Sequence, residues 1–458
     1  MYFKQLVKED LGCASYMVGC INKGVCAVVD PRLDMVDDIL ELAAAKGLQV
    51  EAVIETHNHA DHISGHGEIA RRTGATIYIH EQAQAEYPHK NLKDGDELVL
   101  GVAKLRVIHT PGHRPEHIAI AVADTSRSED PWLVLTGDSL FIGDVARPDL
   151  AVAGEEGADA LYDSLFERLL QLEDGVEVYP AHVAGSLCGR GMNPKTSSTI
   201  GYERKHNAAV APRPRATFIA DMNENLPQRP PNMYTIVERN RGDYAQEEAP
   251  LQLLALDALA FQREMERGAQ VIDTRSPHQF CEGHIPGGID VFLRGSAFAT
   301  RTGFVVSSAS RLLLVVKDER DLHDAITQLA VVGFNQVVGY LDGGMDGWRE
   351  AGLPVEQLEQ MSIDELHEIY QGQMILDVRD QSEWDEGHIK GAKHIPYYFL
   401  EERYQELDSS QPLAVICAGG QRSTIACAIL QKHGFTQLLN VLGGMDTWNR
   451  VGFETVKK

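Results

Sequence analysis

The segment Thr56-His57-Asn58-His59-Ala60-Asp61-His62 puts four potential metal ligands within six residues. It continues an apolar run, Val50–Glu55, that reads as a buried strand. Alternate residues of extended backbone share a face, so His57 and His59 are expected to aim at one spot, with Asp61 and His62 following at the turn into the next helix. Three later segments, Thr110-Pro111-Gly112-His113, Thr136-Gly137-Asp138-Ser139 and Tyr179-Pro180-Ala181-His182, each follow an apolar strand pattern and each add one ligand. A lone histidine is usually a surface or hydrogen-bonded side chain, which is how His66, His80, His89 and His206 read. Seven imidazole and carboxylate groups converging on one cleft are different: unpaired they are costly to bury, and a bound cation offsets that cost.

A second chemistry stands near the other end of the chain. Val415-Ile416-Cys417-Ala418-Gly419-Gly420-Gln421-Arg422-Ser423 runs from an apolar strand into the helical pattern Thr424–His433. A strand ending in cysteine, then a glycine-permissive loop, then a helix start, aims a ring of backbone N–H groups at the sulfur. Those donors and the helix dipole favour a thiolate or a terminal persulfide anion. Arg422 adds a planar fork of donors suited to oxyanions.

The elements that position these groups repeat. Val271-Ile272-Asp273-Thr274-Arg275 with Glu282-Gly283-His284-Ile285 recurs, at an offset of 104, as Ile375-Leu376-Asp377-Val378-Arg379 with Glu386-Gly387-His388-Ile389. Gly343-Gly344-Met345-Asp346 with Trp348 recurs at an offset of 100 as Gly443-Gly444-Met445-Asp446 with Trp448. Two copies of one domain therefore follow each other. In each, short apolar runs (Leu312–Val316, Leu413–Ile416) precede helical patterns (Leu322–Val332, Thr424–His433), which argues a parallel α/β sheet. In copy one, Lys317-Asp318-Glu319-Arg320-Asp321 replaces the cysteine loop, with one residue fewer and no glycine, and Lys317 is expected where copy two has Cys417. Copy one reads as catalytically silent. The Asp273–Arg275 and Asp377–Arg379 pairs read as ties beneath the loop.

Upstream, Val25–Asp30, Val50–Glu55, Thr76–His80, Glu97–Leu100, Leu105–His109, Ile118–Val122 and Leu133–Thr136 read as strands and Met35–Lys46 as a helix, a layered α/β sandwich. Between the sandwich and the repeat, a stretch rich in proline and charge, from Ala211 to Pro250, reads as irregular extension and linker. The expected domains are 1–250, 251–356 and 357–458.

On its histidine and aspartate motifs, the first part resembles the metallo-β-lactamase superfamily, which implies an N-terminal αββα sandwich. Within that superfamily, Thr56–His62, Thr110–His113 and Thr136–Leu150 look most like the persulfide dioxygenases. That resemblance implies one Fe(II) per chain, held by His57, His113 and Asp138, with positions open for a persulfide sulfur and dioxygen. His59, Asp61, His62 and His182 become groups that orient ligands or substrate. Arg147 matches a position that contacts the carboxylate of the carrier thiol. All seven superfamily ligands are present, so a dinuclear Zn(II) hydrolase of the glyoxalase II type remains open on residues alone. After His182 the chain reads Val183-Ala184-Gly185-Ser186-Leu187-Cys188, where glutathione-specific members have Asp and Tyr, which leaves the carrier thiol open. Cys188 is a candidate persulfide relay.

Both copies of the repeat resemble rhodanese-like domains, on the Cys417 loop and on the Asp-x-Arg, Glu-Gly-His-Ile and Gly-Gly-Met-Asp-x-Trp segments. This implies that Cys417 and Arg422 are catalytic and that Ala418, Gly419, Gly420, Gln421 and Ser423 wrap the sulfur. The combined expectation is oxidation of a low-molecular-weight thiol persulfide by dioxygen to sulfite, coupled to sulfur transfer through a Cys417 persulfide that makes or uses thiosulfate. A persulfide carrier adaptor is the alternative from another class. A homo-oligomer is an expectation carried by the superfamily.

Composition bounds the partners. The 458 residues include 42 basic and 67 acidic side chains, a net charge of -25, with 43% apolar residues. No long basic run counters that field, which argues against nucleic acid. Met1–Asp10 lacks the apolar core of a signal peptide, and no later run approaches the ~18 apolar residues that span a bilayer, so the expectation is a cytoplasmic protein off the membrane. Seven cysteines, an odd number thinly spread, fit reduced thiols. Cys417 and Cys188 apart, Cys13, Cys20, Cys26, Cys281 and Cys427 are expected only to pack.

Overall fold

The computed structural model describes residues 1–184, 186–189, 191–224, 226–242 and 253–457. The chain divides into two compact units, Met1–Glu248 with Val331–Gly333, and Ala249–Ala330 with Phe334–Lys458. Among the described residues no helix is long and apolar enough to cross a membrane.

The first unit carries two six-stranded sheets. One orders Tyr2–Lys8, Cys13–Cys20, Val25–Val29, Gln49–Ile54, Thr76–His80 and Lys90–Leu92 in chain sequence; the other orders Ser198–Thr199, Glu177–Pro180, Leu133–Gly137, Ile118–Asp124, Ala103–His109 and Glu97–Leu100. Alternation explains the layers. Tyr16, Val18, Ala27 and Val29 face Ile118, Ile120, Val122, Leu133 and Leu135 of the other sheet. Their neighbours Met17, Cys26 and Val28 turn the opposite way, onto Ile39 of the helix Val36–Ala45 and Ile69 of the helix His66–Thr73. Val134 and Val178 meet Leu161 and Phe218 of the helices Gly154–Asp163 and Arg215–Asn223. The result is the expected αββα sandwich, its strands apolar on both faces because both are covered. The hairpin Tyr2–Lys8/Cys13–Cys20 is an addition that the sequence pattern did not isolate.

The stretch after 210 corrects the expectation of irregular chain. It holds the helices Arg215–Asn223 and Asn232–Arg241, and the prolines Pro214 and Pro231 cap their starts. A proline there has no N–H to leave unsatisfied and a φ already suited to helix entry, so it starts a helix where its presence reads as a breaker. The last part of the stretch, with the expected boundary at 250, lies outside the described residues.

The second unit contains two five-stranded sheets with the same strand order. Copy one runs Leu254–Leu256, Val337–Leu341, Leu312–Val315, Gln270–Asp273, Ile289–Asp290; copy two runs Glu359–Met361, Leu438–Val441, Leu413–Ile416, Met374–Asp377, Lys393–His394. Every pairing in both is parallel. Each copy has its own core, closed by Trp348 in one and Trp448 in the other. The expected ties are present: Arg275 binds Asp273 and donates to Gly283 O at 3.0 Å, and Arg379 binds Asp377 and donates to Gly387 O at 2.8 Å. Strand register corrects one alignment. Asp273 pairs with Val315 as Asp377 pairs with Ile416, so Val316 rather than Lys317 takes the place of Cys417.

Candidate metal centre and cysteine loop

The loop after the strand Gln49–Ile54 and the loops carrying His113, Asp138 and His182 meet at one edge of the sandwich. His57, His113 and Asp138 bring their ligand atoms together: His57 Nε2 lies 3.8 Å and His113 Nε2 3.5 Å from Asp138 Oδ2. All three residues are buried, and these three atoms have no hydrogen-bond partner among the described residues. The other side of each group is held. Thr56 Oγ1 sits 2.9 Å from His57 Nδ1, Arg147 O lies 3.1 Å from His113 Nδ1, and His182 Nδ1 lies 2.6 Å from Asp138 Oδ1. Thr56 is itself anchored on Asp30 through N–H and hydroxyl bonds of 2.7 and 2.9 Å. A buried polar atom left unpaired is expensive, and three such atoms converging with their opposite sides tied is what a cation site requires.

Electrostatics agree with that use. Burial and the neighbouring imidazoles hold His57 well below the ordinary histidine value, and burial lowers His113 as well, so both keep a free lone pair. Burial opposes the charge on Asp138, but the His182 imidazolium beside it outweighs burial and holds the carboxyl well below the usual carboxylate range.

His59 departs from the expected common aim. Its ring is 4.2 Å from that of His57, but its Nε2 faces Asp30 and Glu55 at 3.3 and 3.5 Å. The segment after Ile54 leaves extended backbone, so strand alternation no longer governs where its side chains point. Asp61, His62 and His182 form a neighbouring group with Cys13, whose Sγ lies 3.7 Å from His62 Nδ1 and 3.8 Å from Asp61 Oδ2. This corrects the reading of Cys13 as a packing thiol. Burial opposes its ionisation, but the His62 and His182 imidazoliums together outweigh it and lower the thiol to about 7. Cys188 is buried with its Sγ within 4.8 Å of ligand atoms of Asp138 and His182, and burial pushes its thiol well above the ordinary range. His66 is satisfied as expected, with Nδ1 3.2 Å from Glu55.

Three supports were not legible in the motifs. His117, buried, accepts from the backbone N–H of Asp138 at 2.8 Å, and burial lowers it to about 3, so it stays a neutral acceptor. Gly137 allows this approach: a Cβ there would stand 2.5 Å from His117 Nε2, at a φ of +51°. Asn240, on the helix Asn232–Arg241, donates to His59 O and His62 O at 2.9 and 2.8 Å and clamps the ligand loop from outside the sandwich. The same helical extension lines a cavity of about 490 Å³ that also includes Ala60 and Arg114, the latter next in the chain to His113, together with Arg229 and Arg241. Arg147, in contrast, is buried with its guanidinium forked onto Asp149 at 2.7 and 3.0 Å.

In copy two, Cys417 ends the strand Leu413–Ile416 and the helix Gln421–Lys432 begins four residues later. Gly420, at φ +98°, donates its backbone N–H to Cys417 Sγ at 3.0 Å, and Ser423 Oγ lies 3.5 Å from the sulfur. Among the described residues, the donor ring expected at the sulfur is thus represented by one direct N–H. Gln421, half-buried, accepts from Arg301 at its Oε1. Arg422 is engaged: its guanidinium binds Asp380 at 2.9 Å and Glu383 at 2.5 and 2.7 Å.

A parallel sheet with a cysteine at a helix start, joined to a sandwich with a histidine and aspartate cluster at its edge, defines two known families. The pattern of the metallo-beta-lactamase superfamily matches residues 9–182, and that of the rhodanese-like domain matches 257–351 and 357–450. The chain belongs to the metallo-beta-lactamase superfamily in its first part and carries two rhodanese-like domains after it. It is similar to a hydroxyacylglutathione hydrolase of Polaromonas sp., 32% identical over 37% of this chain and 61% of that one, so it spans about three fifths of that relative. It is also similar to the mitochondrial persulfide dioxygenase of Bos taurus, 28% identical over 47% of this chain and 78% of that one. Among solved structures, a metallo-beta-lactamase from Staphylococcus aureus subsp. aureus COL superposes with a TM-score of 0.67 at 28% identity, covering 74% of this chain and 98% of that one.

Proposed function

We propose that this protein is a persulfide dioxygenase–sulfurtransferase, built of a metal domain (1–250), a silent rhodanese-like copy (251–356) and an active one (357–458). The carrying observation is the set of three unpartnered buried atoms on His57, His113 and Asp138. Two histidines and one carboxylate are the donor set of non-haem Fe(II) oxygenases. A ferrous ion held there would activate dioxygen and offer open coordination positions, the electrons for the reaction coming from the sulfane sulfur that is oxidised. The overall reaction balances as RSSH + O₂ + H₂O → RSH + SO₃²⁻ + 2H⁺.

The chain's own residues do the rest. Thr56, His182 and the Arg147 carbonyl hold the three ligands in place. Arg114, Arg229 and Arg241 around the adjoining cavity suit an anionic carrier thiol. Cys188 is close enough to the centre to relay sulfane sulfur. Cys417 takes sulfane sulfur from a second persulfide and passes it to sulfite, giving thiosulfate, or runs the reverse.

Metal analysis coupled to oxygen uptake with purified persulfides tests the reading: one iron per chain and iron-dependent uptake are expected, and activity with zinc alone rejects it. Asp138→Ala should release the metal. The group Cys13, Asp61, His62 and His182 favours a second reading, a dinuclear zinc thioesterase, for which two zinc ions per chain and no oxygen uptake would be found.

A further inference from the structure

The active loop of copy two meets a basic residue from the silent copy. Arg301, on the copy-one helix Phe298–Val305, donates from Nη1 to Gln421 Oε1 and from Nη2 to Ser296 Oγ at 2.9 Å. Around that contact the two copies are closely fitted. A Cβ on Gly295 would stand 2.6 Å from Gln421 Oε1, Phe304 stacks on Tyr398 at 4.8 Å, and Asp290 lies 2.5 Å from Thr424 Oγ1 within the active helix.

The charge balance at the loop separates two arginines. Arg422 is spent on Asp380 and Glu383, two carboxylates for one cation. Arg301 makes no ion pair among the described residues, is largely enclosed, and interacts electrostatically with Cys417, Arg422, Asp380 and Tyr397. Sulfur transfer from thiosulfate brings a dianion to a thiolate. The thiolate attacks the sulfane sulfur, a Cys–S bond forms, the S–S bond breaks, and sulfite leaves with the electron pair, so that negative charge is present throughout. In a chain of net charge -25 that approach needs a cation that no carboxylate neutralises, and the partners of Arg301, Gln421 and Ser296, are both uncharged.

We propose that Arg301 of the silent copy is the anion-binding residue of the Cys417 site and holds the oxyanion end of thiosulfate or sulfite. The silent copy is then one wall of the active site. This rests on the reading of Cys417 as a sulfane-sulfur carrier.

The test uses the full chain. In steady-state sulfur transfer from thiosulfate to a neutral dithiol, Arg301→Gln should raise KM for thiosulfate about tenfold, the loss of one charge-assisted contact, with kcat changed less than about threefold and KM for the dithiol unchanged. Arg301→Lys, which keeps the charge, should recover much of the loss. Calorimetric titration of thiosulfate into Cys417→Ser and into Cys417→Ser/Arg301→Gln should show the same weakening without turnover. Arg301→Met keeps the bulk of the stem should the Gln variant fail to fold. Unchanged KM and unchanged binding overturn the proposal, as does a fall in kcat alone, which would mean that Arg301 acts only by positioning Gln421. A wild-type chain that binds thiosulfate through Arg301 and transfers no sulfur would instead refute the carrier reading and leave this site standing.

Discussion

The two rhodanese-like copies share strand order, core tryptophan and the Asp–Arg tie, and differ where a helix N-terminus meets the end of a strand. In copy two that terminus faces Cys417, with Gly420 N–H on the sulfur. In copy one it is occupied from within: Asp318 accepts the N–H groups of Arg320 and Asp321, both at 3.0 Å, and Arg294 neutralises Asp321 and Asp324. The same dipole and orphan donors that would stabilise a sulfur anion are satisfied by a carboxylate cap. One loop turns a backbone N–H onto a cysteine sulfur and the other satisfies its donors with its own carboxylate.

The sharpest break of this comparison exchanges the sulfur. Cys417→Ser should abolish sulfur transfer, by about a thousandfold or more, while leaving oxygen uptake intact. Val316→Cys, at the equivalent place of copy one, should restore no detectable transfer, because the Asp318 cap already fills the terminus; turnover of thiosulfate by the double variant is the measurement.

A paired glycine test is next in size. A Cβ on Gly444 would stand 2.2 Å from the carbonyl oxygens of Cys417 and Ala418, whereas on Gly344 it would meet no described residue within 4 Å; their φ values are +55° and +56°. Gly344→Ala should cost only the left-handed strain, about 1 kcal/mol, and Gly444→Ala about 3 kcal/mol, read from denaturant unfolding. The second should also lower transfer, since Met445 and Asp446 donate to the same two carbonyls at 2.8 and 3.0 Å.

Asp318→Ala removes a cap and should destabilise the unit by about 1 kcal/mol without altering sulfur transfer. A change in transfer would show that the silent loop takes part.

The smallest effect concerns Asp290, whose copy-two equivalent at an offset of 104 is His394. Burial raises its carboxyl well above the ordinary aspartate value, so the folded protein keeps a proton that the unfolded chain loses above about pH 4. Stability contributed there therefore falls as pH rises. Asp290→Asn should match wild type in melting temperature near pH 4 and exceed it increasingly toward pH 8; a constant difference would show that ionisation is not involved.

Much of the architecture was legible because it depends on local periodicity. The sandwich strands and the repeat were readable from apolar alternation and from matched offsets. The helices after Pro214 and Pro231 were not, since only their docking on the sandwich turns a proline-rich stretch into ordered structure. Cys13 lies 48 residues from Asp61 in the chain, and nothing local to it points to that contact. His117 stands four residues after His113, but its acceptor role toward Asp138 depends on two loops meeting.

The sequence by itself determined which atoms are available: the histidines, aspartates and cysteine whose types and spacing admit metal and sulfur chemistry, and the absence of a cysteine from the loop of copy one. Only the tertiary structure decided which of those atoms are free. Hydrogen bonds and ion pairs across distant segments occupy one side of His57, His113 and Asp138 and leave the other open to a cation, spend Arg422 on two carboxylates, and bring Arg301 to the cysteine loop of the other copy. Availability is a property of residue type, whereas freedom depends on what packs beside a residue in three dimensions.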